Sequence, residues 1–78
     1  MDAQTARETI LKPKLIEVFG NAIASNLITK AGMASQSGTS EQEKLKIVVD
    51  FICTDPKVLG MWGAAQTERQ KKEWLTLV

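Results

Sequence analysis

The sequence predicts an all-α protein, a small bundle of three to four helices with antiparallel neighbours. Helix-start signatures stand before the apolar stretches, apolar residues recur at helical spacing, and proline or glycine punctuates the chain between them. Short connections favour antiparallel packing of successive helices.

A first helix is expected at about residues 3–12. Thr5-Ala6-Arg7-Glu8 has the form of a capping box, and Asp2 is a competing N-cap a turn earlier; either opens a helix through Ile10 and Leu11. Pro13 withholds a backbone donor, crowds the carbonyl of Thr9 and biases Lys12 away from helical dihedrals. A break or sharp kink is therefore expected at Lys12-Pro13, with Pro13 opening the next helix.

That second helix is expected at about 13–31. Leu15, Val18, Phe19, Ala22, Ile23 and Leu27 form one stripe, and Glu17, Asn21, Ser25 and Thr29 lie largely on another face. Gly32 reads as the C′ residue that ends it. The small, polar Ala34-Ser35-Gln36-Ser37-Gly38-Thr39 places a flexible loop at about 32–39.

The third helix, about 40–54, holds the longest apolar run, Leu45 to Cys53, broken by Lys46 and Asp50. Ile, Val and Phe also suit a buried strand, but the flanks decide for helix. Ser40-Glu41-Gln42-Glu43 is a capping box in which Glu43 is expected to reach back to the Ser40 N–H, and Glu41 and Glu43 suit the positive end of the helix dipole. Leu45, Val48, Val49 and Ile52 share a stripe that Ile47 and Phe51 widen, so this helix should be the one on which the others pack.

The fourth helix is expected at about 56–77, capped by Asp55 with Pro56 in its first position. Gly60 and Gly63 each cost about 1 kcal/mol relative to alanine inside a helix. They either bend it or, with Ala64 and Thr67, make a smooth strip for a neighbour. The tail from Trp74 to Val78 is almost wholly apolar and needs a surface to cover, in its own bundle or on another chain.

At 78 residues, 44% hydrophobic and 5% aromatic, the chain is read as one domain with an aliphatic core. A net charge of +1 gives no strong field of either sign. Histidine is absent and cysteine occurs once, which removes Ser-His-Asp and Cys-His catalytic sites, histidine zinc sites and an internal disulfide. No phosphate-loop, carrier-protein or calcium-loop motif is present, so no catalytic residue, metal ligand or cofactor is assigned and no enzymatic activity is expected. Cys53 is expected to be a buried small hydrophobe whose thiolate Asp50 and Asp55 disfavour. A single cysteine, no secretory leader and no span of about 18 apolar residues point to the cytoplasm and against a membrane crossing.

The expected function is a non-catalytic protein–protein interaction or self-assembly module, working on a protein partner or as a homo-dimer. The expected interface is Met61, Trp62, Trp74, Leu75 and Leu77, a surplus of large apolar groups in a short chain. Two alternatives belong to other classes. One is a DNA-binding regulator of helix-turn-helix type, in which Arg69, Lys71 and Lys72 would touch phosphates. Against nucleic acid stands the helix after Asp55-Pro56, which begins Lys57-Val58-Leu59-Gly60 and offers only Lys57 to read base edges. The other is a helical protein holding a small apolar ligand.

Overall fold

The computed structural model describes residues 2–77. In chain order these form α1 (Ala3–Ala6), a π-helical turn (Arg7–Leu11), α2 (Lys12–Phe19), α3 (Asn21–Ala34), a 3-10 turn (Ser35–Ser37), α4 (Glu41–Cys53) and α5 (Pro56–Leu75), with no strand among the described residues. The fold is a small all-α bundle. Val78, the end of the apolar tail, lies outside the described residues.

The expected break at Lys12-Pro13 does not occur. Leu11 and Lys12 keep right-handed helical dihedrals, and α1, the π-helical turn and α2 run on as one helical rod. The π-helical turn supplies the physical reason. The Lys12 N–H donates to the carbonyl of Arg7, five residues back, so the ladder is already widened by one residue where Pro13 withholds its donor and its ring needs room. Asp2, rather than Thr5, caps the rod, its carboxylate accepting from the Thr5 N–H at 2.6 Å.

The break lies instead at Gly20, with φ 85° and ψ 168°, a conformation essentially confined to glycine. It divides the expected 13–31 helix and resets its apolar phase. Leu15 is buried before the joint; after it Ala24, Leu27, Ile28 and Ala31 face the core, while Ala22 and Ile23, expected on the stripe, are exposed. Gly32 is not the end of that helix either. It sits inside α3 with the Arg7 guanidinium against it, where a Cβ would stand 2.9 Å from Arg7 Cζ. Helix therefore continues to Ala34 and turns 3-10 through Ser37, and the expected loop shrinks to residues 38–40.

The Ser40 hydroxyl accepts from the Glu43 N–H at 3.1 Å as the capping box requires. Glu43 reaches one residue farther than expected. Its Oε2 accepts from the Thr39 N–H at 3.3 Å and the Thr39 hydroxyl at 2.6 Å, contacts that hold its carboxyl below the usual carboxylate range. Glu41 bridges elements, accepting the Ala3 N–H at 3.4 Å and so tying the start of α1 to the start of α4.

α4 is the hub, packed against α1, α3, the 3-10 turn and α5. Leu45, Val48, Val49, Ile52 and Cys53 are buried along it, and they meet Leu11, Leu15, Leu27, Val58 and Trp74 in one core. Each such aliphatic side chain removed from water contributes roughly 1.5–3 kcal/mol before conformational entropy is set against it.

Candidate functional site

The two positive-φ glycines belong to a ten-residue unit that occurs twice. Pro13-Lys14-Leu15-Ile16-Glu17-Val18-Phe19-Gly20-Asn21-Ala22 aligns without a gap on Pro56-Lys57-Val58-Leu59-Gly60-Met61-Trp62-Gly63-Ala64-Ala65. Proline, lysine, the joint glycine and the last alanine are identical, and four apolar positions exchange Leu for Val, Ile for Leu, Val for Met and Phe for Trp. The backbone repeats as well: Gly63 has φ 78° and ψ 163°, within a few degrees of Gly20.

Burial follows the repeat on the inward side. Leu15 and Val58 are fully buried, and Phe19 and Trp62, four residues on and so on the same helix face, lean on the core. The neighbouring positions diverge. Ile16 and Val18 are half-buried, whereas Leu59 is 39% and Met61 58% exposed. The solvent-facing positions diverge more: exposed Glu17 and Asn21 of the first unit correspond to exposed Gly60 and Ala64 of the second. A Cβ at Gly60 would meet nothing within 4 Å, so no contact inside the chain requires a glycine there.

Gly63 also decides the fate of the tail. In a straight helix Trp62 and Trp74 would be about 18 Å apart along the axis, yet their ring centroids are 6.0 Å apart and tilted by 60°. α5 therefore doubles back at Gly63, whose carbonyl accepts the Thr67 hydroxyl at 2.7 Å, and the second half lays Trp74 on the first. An aromatic pair of this geometry adds about 0.5–1.5 kcal/mol to its area burial.

This places the five expected interface residues in two groups. Trp74 is 2% exposed and belongs to the core, with Trp62 and Leu77 packed against it, so the described part of the tail docks in cis. Only Met61 and Leu75 remain exposed. Sequence reasoning passed over Leu59 and read Gly60 only as a bend or as part of a smooth strip with Gly63, Ala64 and Thr67. The signal that singles out Leu59 and Gly60 is the repeat itself, because aligning the two units shows which polar positions of the first became apolar or bare in the second.

An ion pair joins α4 to the second half of α5. Lys71 Nζ meets Asp50 Oδ1 at 3.0 Å, and that carboxylate raises the ammonium pKa. Cys53 lies beside them. Burial pushes its thiol up to about 11, helped by Asp50 and Glu68 and opposed by Lys71, which makes it a poor nucleophile at neutral pH. Arg69 and Lys72 are exposed. No helix is long and apolar enough to cross a membrane among the described residues. No protein-family model matches the chain, and neither a curated protein nor a solved structure shows significant similarity to it.

Proposed function

We propose that this chain is a non-catalytic self-association module that pairs with a second copy of itself through the first half of α5. The observation that carries the reading is the replacement of Glu17 and Asn21 by Gly60 and Ala64 at equivalent exposed positions, beside an uncovered Leu59 and Met61. A solvated helix face retains polar groups; this one has shed them. The bare Gly60 gives up helix stability for no contact within the chain, and a smooth surface lets a second helix approach closely. A two-fold arrangement supports the choice of a second copy, since each protomer then covers the other's Leu59 and Met61 with the same residues.

Light scattering after size exclusion, over a concentration series, tests the reading on the full chain and on the double variant Leu59→Gln, Met61→Gln. Both positions are exposed in the single chain, so the variant keeps its helical far-UV signal. The expected result is a dimer for the parent and a monomer for the variant. A parent that stays monomeric at every concentration, or a variant that dimerises equally well, overturns the proposal.

A further inference from the structure

A groove between α1, the π-helical turn, α3 and α4 has a different chemistry from the apolar face of α5. It is open, holds about 530 Å³, and is lined by Arg7 and Glu8, Gly32 and Met33, and Glu41 and Lys44.

Each of its two cations is seated against a glycine. The Arg7 guanidinium lies on Gly32, where a Cβ would collide with its Nη1. The Lys44 stem lies on Gly38, where a Cβ would stand 2.8 Å from Cγ and 3.0 Å from the backbone nitrogen. Gly32 lies within α3, where glycine weakens a helix relative to alanine; the seated guanidinium is what its bare position serves. The π-helical turn begins at Arg7 itself, and such turns are frequent at functional sites.

The groove carboxylates already have partners, Glu41 at the first turn of α1 and Glu8 at Lys12 and, more loosely, at Arg7 itself. Glu41 accepts the Ala3 N–H at 3.4 Å. Glu8 is flanked by Arg7 Nε at 3.6 Å and by Lys12 Nζ at 3.8 Å. Arg7 Nε is shut away from solvent without a hydrogen-bond partner among the described residues, because Glu8 is too distant to accept. Lys44 forms no ion pair among those residues. Two built-in cations thus line a groove with donors to spare. A guanidinium fork and an ammonium point charge suit an oxyanion.

We propose that this groove binds the oxyanion group of a small ligand, a phosphate or a carboxylate, held by Arg7 and Lys44, with Met33 and Ile28 as the apolar wall for the rest of that ligand. The site is separate from the proposed pairing on α5, and either can fail without the other.

The test is nitrogen-15 NMR of the full chain titrated with sodium phosphate, with sodium acetate and with sodium chloride at matched ionic strength, following the Gly32 amide and the Arg7 Nε–H. The expected result is a saturable shift of both signals with phosphate or acetate and none with chloride, and the arm that saturates at the lower concentration identifies the group. Arg7→Gln and Lys44→Gln each weaken binding by about tenfold or more, as loss of a charge-assisted contact does, while Lys12→Gln leaves it unchanged. Gly32→Ala removes the seat without removing a charge, keeps the helical signal and weakens binding as well, which separates loss of the site from loss of the fold. Equal shifts with chloride, no saturable shift in either oxyanion arm, or undiminished binding in Gly32→Ala and Arg7→Gln overturns the proposal.

Discussion

The unit at residues 13–22 and the unit at residues 56–65 share a ten-residue pattern and a glycine joint, yet the bundle uses them differently. In the first, Pro13 stands inside a longer rod, and the joint delivers α3, which buries Ala24, Leu27, Ile28 and Ala31. In the second, Pro56 opens the helix behind the Asp55 cap, and the joint returns a mostly polar segment that buries Thr67 and Trp74. The same local pattern gives the same dihedrals, and the segment beyond the joint decides whether the flanks of the unit are covered. The first unit builds the core; the second leaves a side of itself bare.

The comparison can be broken most severely at its shared inward position. Leu15→Ala should cost about 2–5 kcal/mol, and Val58→Ala less because a smaller volume of side chain is removed; urea unfolding followed by circular dichroism measures both. Equal and negligible costs would mean that the repeat does not anchor the core. The joints come next. Gly20→Ala and Gly63→Ala each force an L-residue to positive φ and should cost about 1–3 kcal/mol, with Gly20 the more damaging because a helix with four buried apolar residues lies beyond it. D-alanine at either position, introduced by chemical synthesis, should be tolerated, and a D-alanine variant as unstable as the L-variant would refute the conformational explanation.

The smallest effect concerns the α4–α5 contact. The folded state holds the Cys53 proton to about 11 against an ordinary thiol value of 9.0, so between those pH values the unfolded chain has lost a proton that the folded chain keeps. Stability is therefore highest below the lower value and falls as pH rises through the window. Lys71, its pKa raised by Asp50, acts in the same alkaline direction. Cys53→Ser should flatten this decline in a series of thermal melts, and an unchanged slope would remove the thiol as its source.

Much of the bundle was legible from sequence because its signals are local. Ser40 and Asp55 announce the starts of α4 and α5 through side-chain caps, and the apolar stripe of α4 needs no knowledge of its neighbours. Pro13 misled because the remedy, a wider turn over Arg7–Leu11, lies upstream and has no residue signature of its own. Gly32 misled because glycine has two uses, ending a helix or seating a neighbour, and the neighbour here is Arg7, 25 positions away in sequence. Whether Trp74 packs in its own bundle or on another chain stayed open in the sequence because the doubling back of α5 at Gly63 depends on a dihedral rather than on hydropathy. The candidate face was half legible: Met61 is named as a surplus apolar group and Gly60 as part of a smooth strip, Leu59 only by comparison with Ile16.

Methionine methyl signals offer the most direct measurement of whether the second unit pairs with another copy. Met33 and Met61 are 66% and 58% exposed, in α3 and in the first half of α5, so each serves as the other's control. With carbon-13 at the methionine methyls and a dilution series in chloride buffer, the Met61 signal should shift or broaden as concentration rises while Met33 stays in place. A Met61 signal that holds its position at every concentration would contradict pairing through α5.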